Sequence, residues 1–336
     1  MIFRGNNKPI YLSVLSFLAI GIGFALRLLN GCSRNLSTIS LNGIAIKVKD
    51  YSLQRLDYES LPQGYTGRST ISVEDPGEIA ELPTLTYKGQ KGYHPVRIAR
   101  LLLALLNSYK VTSEQAYLEK AKVISDKYVD TATESTGAMY FPYTFDFHLH
   151  GIQKELMEAP WYSGMAQRIS LSAYVRFYQV TGEQKYLGIV NKVFKSFTNL
   201  RNNEHNPWIA YVDDNGYYWI EEYPIWPPAH TLNGFLYAIF GLYEYWLLKQ
   251  DVESETVLKA AITTIQHYLS QYRNPGELSF YCLKHKVQNL AYHKIHINQL
   301  YELYLICQDE YFHEMMYAFQ RDLLIYQERL EAGEPK

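Results

Sequence analysis

The sequence predicts a mainly α protein: an (α/α) toroid of about four helical hairpins, with short β-hairpins in the connectors and an N-terminal hydrophobic segment ahead of it. Three observations carry this. A helical-hairpin unit recurs from Pro95 onward, the turns inside the units are short and polar, and the connectors between units are long and aromatic. Leu103-Ala104-Leu105-Leu106-Asn107-Ser108-Tyr109-Lys110-Val111-Thr112, followed by Ser113-Glu114-Gln115-Ala116-Tyr117-Leu118, is matched by Ser172-Ala173-Tyr174-Val175-Arg176-Phe177-Tyr178-Gln179-Val180-Thr181, followed by Gly182-Glu183-Gln184-Lys185-Tyr186-Leu187. The copies stand 69 residues apart (Tyr117 and Tyr186). Looser copies run from Leu236 to about Leu269 and from Leu300 to about Leu324. Each unit reads as an apolar helix, a polar turn suited to capping, and a more amphipathic second helix.

With short turns inside the hairpins, the long connectors (about 130–161, 200–230 and 273–293) all fall at one end. The apolar first helices then line the inside, with their N-termini at that same end. Positive helix dipole ends and free N–H groups there favour an anion. Ser135 with Gly137-Ala138-Met139-Tyr140, and Asp214-Asn215-Gly216-Tyr217-Tyr218-Trp219, add hairpin strands to two connectors and so build walls for a groove.

Residues 33–90 are polar and rich in Gly, Ser and Thr, and read as a linker with a few strands such as Ile44-Ala45-Ile46-Lys47-Val48. The toroid occupies 91–330 as one main domain. Ahead of the linker, Arg4 and Lys8 precede a nearly uncharged run from Ile10 to Leu26 that ends at Arg27. Residues 1–32 therefore read as a signal peptide or an N-terminal membrane anchor, the alternative being a buried core helix. The run is just short of the ~20 residues that span a bilayer comfortably, and Leu29-Asn30-Gly31-Cys32 loosely resembles a bacterial lipobox. Either export reading puts the catalytic body outside the cytosol, in a bacterial envelope or a Golgi lumen. Asn35-Leu36-Ser37 is a glycosylation sequon, a weak signal taken singly.

Composition excludes some classes of partner. With 34 acidic and 32 basic side chains and a formal charge of −2, nothing global marks a nucleic-acid binder or a surface held electrostatically to membranes. An anionic ligand must be recognised locally. Cys32, Cys282 and Cys307 form neither a disulfide framework nor a zinc-finger spacing and read as free thiols.

Three clusters could carry chemistry. At Trp161-Tyr162-Ser163-Gly164-Met165-Ala166-Gln167-Arg168, Ser163 caps a helix and Gln167 and Arg168 lie one turn on; a capped start with packing aromatics explains these residues equally well. Glu221-Glu222-Tyr223-Pro224 pairs two acids that raise one another's pKa if partly buried, although adjacent acids are more often solvated. The densest cluster runs from Tyr281 to Gln299 and includes Lys284, His285, Lys286, Asn289, Tyr292, His293 and His296. His285, His293 and His296 could surround a metal, but no acid ligand stands at a recognised offset, so no metal is assigned and core histidines at a helix start are favoured.

Two phenols, a carboxylate and a lysine suit removal of the proton from the carbon next to a carboxylate. The lysine neutralises the enediolate while a base takes the proton. A phenol titrates near ~10, and bringing it to ~7.5 takes about 3.4 kcal/mol of phenolate stabilisation, which a nearby lysine and helix dipoles could supply. Phenols on opposite faces would remove the proton from one side and deliver it on the other.

These residues resemble a known family. Trp161-Tyr162-Ser163 with Met165-Ala166-Gln167, Glu221-Glu222-Tyr223-Pro224, Leu232-Asn233-Gly234-Phe235 with Tyr237, Asn289-Leu290-Ala291 and Tyr292-His293 followed by His296-Ile297-Asn298-Gln299-Leu300 are similar to the C-terminal catalytic domain of D-glucuronyl C5-epimerases, from about Gly92 to Leu324. The resemblance implies conversion of D-glucuronate to L-iduronate within heparosan or heparan-type chains, an acidic polysaccharide substrate, no redox cofactor and a homodimer. It implies Glu222, Tyr223, Tyr281 and Tyr292 at the reacting centre. Asn233, Tyr237, Lys284 and Asn289 are implied as substrate contacts, with His293, Gln167 and Lys154 beside them as further candidates. The family pattern has arginine where this chain has Lys284, and an Arg-Trp-Asp stretch that is shortened here to Ala291-Tyr292. Residues 33–90 are too short for the N-terminal β domain of vertebrate members, so that domain's calcium site is not carried over. Two alternatives stand beside epimerisation: a polysaccharide lyase working through the same carbanion, and a non-catalytic glycan-binding toroid.

Overall fold

All four repeats turn back on themselves through one backbone conformation. In the computed structural model, which describes residues 36–62, 70–71, 81–202 and 207–333, the first hairpin pairs α1 (Pro95–Thr112) with α2 (Gln115–Asp130). The second pairs α3 (Gly164–Thr181) with α4 (Gln184–Thr198), the third α5 (Leu232–Lys249) with α6 (Val252–Tyr268), and the fourth α7 (Leu290–Cys307) with α8 (Glu310–Glu331). Ser113, Gly182, Gln250 and Gln308 each sit in the left-handed region (φ 62, 68, 50 and 50°). Each donates its N–H to the carbonyl four residues back, on Tyr109, Tyr178, Trp246 and Tyr304 respectively. In the two best-matched repeats Thr112 and Thr181 add a side-chain oxygen, accepting from Glu114 N and Glu183 N at 3.2 Å. That is the physical content of the recurring Thr-Ser/Gly-Glu-Gln signature.

The first helices pack in succession, α1 on α3, α3 on α5 and α5 on α7, while each also packs on its own hairpin partner. The (α/α) toroid follows. Their composition explains the placement: every residue of α5 from Leu232 to Trp246 is buried, as befits a helix apolar on all sides, whereas α8 buries Phe312, Met315, Met316 and Phe319 on one stripe.

The connectors carry the expected strands. β5 (Thr133–Ser135) pairs with β6 (Ala138–Tyr140) around Thr136-Gly137, both at positive φ, and β9 (Ala210–Val212) pairs with β10 (Tyr218–Ile220). A further short pair joins β7 (Phe147–His148) to β8 (Leu156–Met157). In the third connector Tyr281 N donates to Val287 O at 2.7 Å, and Leu232 N donates to Tyr281 O at 3.0 Å, which ties this loop to the start of α5.

The stretch expected to be a linker is built into the body. β1 (Leu36–Leu41) and β2 (Ile44–Lys49) form a hairpin about Asn42-Gly43, and β3 (Thr84–Tyr87) pairs with β4 (Gln90–Tyr93). Leu41, Ile46, Val48 and Tyr51 are buried, and Lys49 N donates to Thr263 Oγ1 of α6 at 2.8 Å. Short alternation gave β2 one apolar face, and α6 covers it, while β1 stays exposed except at Leu41.

Beyond β2 the chain crosses the C-terminal ends of the first helices. Gln54 N donates to Ile306 O in α7, Tyr243 Oη in α5 bonds both Gln54 O and Leu56 N, Tyr58 Oη bonds Asn107 in α1, and the Arg176 guanidinium of α3 lies 5.4 Å from the Tyr58 ring centre. One short segment thus touches all four first helices at the end opposite the connectors. The proposed signal or anchor in 1–32, together with Cys32 and Asn35, lies outside the described residues. Among the described residues no helix is long and apolar enough to cross a membrane.

Candidate active site

Phenols and a carboxylate meet where the second and third connectors touch. Glu222 and Tyr223 follow β10 directly, Tyr281 lies on the loop pinned to the start of α5, and Tyr292 stands in the first turn of α7. Tyr223 Oη and Tyr281 Oη are 3.2 Å apart, and Tyr281 Oη lies 3.4 Å from Glu222 Oε2. The Tyr292 ring packs edge-on against Tyr281 with centroids 4.5 Å apart. Glu222 is 7% exposed and Tyr281 5%, while Tyr223 and Tyr292 are partly open.

Electrostatics divide these groups. Burial pushes Glu222 up to about 7, against the hydrogen bonds of Tyr223 and Tyr281, with the neighbouring Glu221 charge adding to the rise. Burial and the nearby Glu222 carboxylate push Tyr223 and Tyr281 well above the usual phenol value. The expectation of a lysine-lowered phenol is therefore corrected. Among the described residues Lys284 is held by Glu155 and Pro227 rather than by Tyr223 or Tyr281, and the group poised near neutrality is Glu222.

The lysine is held elsewhere. Lys284 Nζ donates to Glu155 Oε2 and to Pro227 O, both at 2.9 Å. Glu155 is itself buried, and these contacts with Lys284 and His285 hold its carboxyl below its usual range despite the opposing effect of burial. Lys284 and Glu155 line a cleft of about 770 Å³ whose other walls include Lys154, Trp161, Trp208, Pro224 and Trp226. The phenols flank this cleft rather than line it: Pro224 adjoins Tyr223, and the Trp161 and Tyr223 rings are 6.2 Å apart.

The family model described as "D-glucuronyl C5-epimerase C-terminus" matches residues 136–321, more than half of the chain. The chain belongs to that family. It is 28% identical over 177 residues to the D-glucuronyl C5-epimerase of Caenorhabditis elegans, a match covering 47% of this chain and 28% of that protein. It is 23% identical over 205 residues to an uncharacterised protein of Methanocaldococcus jannaschii, covering 58% of this chain and 64% of that one. The chain therefore spans less than two thirds of either relative. Among solved structures, an unsaturated glucuronyl hydrolase from Streptococcus agalactiae aligns with a TM-score of 0.46 at 14% identity, covering 68% of this chain and 58% of that one. A cellobiose 2-epimerase from Bacillus thermoamylovorans aligns with a TM-score of 0.45 at 14% identity, covering 69% and 61%.

Within this C5-epimerase family domain the remaining expected site residues fall into two groups. Lys154 is exposed on the cleft, and Tyr237 and Asn233 are buried near the start of α5, where Asn233 Oδ1 has no hydrogen-bond partner among the described residues. The others are bonded into the scaffold. Asn289 caps α7, its side chain accepting from Ala291 N and Tyr292 N at 2.9 and 3.3 Å. Gln167 is fully buried, accepting from Phe141 N and donating to Met139 O and Ser196 Oγ. His293 is also fully buried: Nδ1 accepts from Ser279 N at 2.8 Å, so Nε2 carries the proton given to Phe319 O. His293 and His296 both turn to Ser279, so they do not join His285.

Two residues near the site, Glu155 and His230, were missed. Glu155 gave no signal, because its partner Lys284 is 129 residues away. Glu221, fully buried, stands 2.9 Å from His230 Nδ1 and accepts from His230 N at 3.0 Å, while His230 Nε2 meets Tyr211 Oη at 3.3 Å. His230, at φ 54°, is a non-glycine residue in the left-handed region, which no local motif announces. Ring contacts with Trp219 at 3.9 Å hold it there.

Proposed function

We propose that the protein epimerises C5 of D-glucuronate residues to L-iduronate in a heparosan- or heparan-like polysaccharide. The observation that carries this reading is the contact chain Glu222–Tyr281–Tyr223, with Tyr292 packed against Tyr281. It joins a carboxylate poised near pH 7 to phenols that stay protonated and can donate. The Tyr281 oxygen takes the C5 proton as its own proton passes to the Glu222 carboxylate. The C5 electron pair delocalises into the sugar carboxylate as an enediolate, and Tyr292 gives a proton to the opposite face. Exchange with solvent resets the three groups. Trp161, Trp208 and Trp226 offer stacking faces for neighbouring sugars along the cleft, and Lys154 and Lys284 supply positive charge for a uronate, Lys284 having Glu155 as a competitor.

Incubation with heparosan in deuterated water tests the reading: label enters C5, and Tyr281→Phe and Tyr292→Phe each lose exchange while still binding polymer. Near-full exchange in both variants would refute the two-phenol route. Accumulation of an ultraviolet-absorbing unsaturated product would point to β-elimination, and binding without exchange to a glycan-binding module.

A further inference from the structure

Beside the phenols, but outside the epimerisation steps, three strong metal donors converge from two connectors. Cys282 Sγ lies 3.5 Å from His150 Nε2 and 3.5 Å from His285 Nδ1, and the three atoms are all within 4.8 Å of one another. A tetrahedral zinc ion with Zn–S of ~2.3 Å and Zn–N of ~2.0–2.1 Å separates its sulfur and nitrogen ligands by about 3.6 Å. Both sulfur–nitrogen separations match that spacing. They also match thiol–imidazole hydrogen bonds, so the decision falls on what surrounds the three groups.

Two features favour a cation. First, His285 offers Nδ1 to the cluster while its Nε2 stands 3.4 Å from Glu155 Oε1, and the other Glu155 oxygen accepts from Lys284. The carboxylate faces the far nitrogen without yet hydrogen-bonding it; a carboxylate in that place, once bonded, fixes a metal-bound histidine in the right tautomer. Second, His150 is an exposed residue at φ 54°, a left-handed conformation that a non-glycine residue adopts at a cost, and in it the ring turns to Cys282. Cys282 is fully buried, and its backbone is fixed by the Lys286 N–H and by bridging to Thr231, so the position from which its sulfur projects is set by the loop.

We propose that His150, Cys282 and His285 form a mononuclear site for a borderline-soft divalent cation, zinc by its donor set, with Glu155 as the carboxylate that orients His285. One sulfur and two imidazoles exclude hard cations such as calcium and magnesium. Three protein ligands leave a fourth position for water or an anionic oxygen, on the side where His150 is exposed. Tyr281 precedes Cys282 and its ring packs edge-on to His150 at 5.5 Å, so the cation stands next to the phenol cluster.

The test reads metal, not turnover, and so stands apart from the epimerase reading. The full chain, stripped with a chelator, is titrated with Zn²⁺ against a chromophoric competitor, and separately with Co²⁺. One equivalent per chain is expected, with a thiolate-to-cobalt charge-transfer band. Cys282→Ser abolishes the band, His150→Ala weakens zinc binding at an exposed position that the fold tolerates, and Glu155→Gln weakens it 10–100-fold while keeping the band. The proposal is overturned if folded wild-type protein, checked by circular dichroism, takes up no stoichiometric zinc. It is equally overturned if uptake and band survive both Cys282→Ser and His150→Ala unchanged.

Discussion

Glu222 owes its position to a glycine. A Cβ built at Gly234 would overlap the Glu222 carboxylate, so only a bare backbone at the start of α5 lets this acid sit buried beside Tyr281. The motif Asn233-Gly234-Phe235 was legible as part of the family pattern; its steric reason was not, because the contact joins residues far from any local pattern. Burial leaves a mark on stability. A carboxyl raised from its ordinary value of 4.5 to about 7 favours the folded state fully below the lower value, and that contribution is lost as pH rises through the upper one. At ~1.4 kcal/mol per unit the window amounts to about 3 kcal/mol. Glu222→Gln has no such titration, so urea unfolding at pH 5 and pH 8 should show the variant gaining up to about 3 kcal/mol on wild type. A gap that does not change with pH would contradict the raised pKa. Residue type, neighbours and the family resemblance singled out Tyr281, Tyr292 and Glu222, which the structure places close together, whereas nothing around Lys154-Glu155 marks the buried carboxylate that engages Lys284.

The hairpin turns show what repeats reveal and hide. The two best copies were visible because both spell Thr-Ser/Gly-Glu-Gln, and the structure gives them identical hydrogen bonds at Ser113 and Gly182. The third and fourth hairpins use the same left-handed conformation at Gln250 and Gln308, residues that carry no turn signature, so their copies looked looser. Only Gly182 occupies this conformation without a Cβ penalty. Ser113→Gly should therefore raise stability by about 0.5–1 kcal/mol, the strain relieved exceeding the entropy added to the unfolded chain, read as a higher urea midpoint at unchanged m-value. A lower midpoint would mean that the serine side chain contributes more than its φ angle costs.

Across the whole molecule, charge is used sparingly inside the ring of first helices. Arg176 of α3 holds Glu244 of α5 through two hydrogen bonds at 2.9 and 3.0 Å, with both side chains nearly buried. Burial raises Glu244, and the charge and hydrogen bonds of Arg176, with Arg168 behind it, more than offset that and hold it low. Arg176→Met strands the carboxylate and should cost about 3–5 kcal/mol in urea unfolding; a loss below about 1 kcal/mol would mean that Arg168 alone suffices. Neither residue stood out in the sequence, since the pair spans 68 positions and each partner sits in an apolar helix.

The segment that runs from Gln54 to Tyr58 across α7, α5, α3 and α1 makes the ring a bowl rather than a tube. A polymer cannot be threaded through it from a free end. On the proposed polysaccharide reading, a glycan approaches from the connector end, where the cleft lies, and the closed far end sets no requirement for a chain terminus.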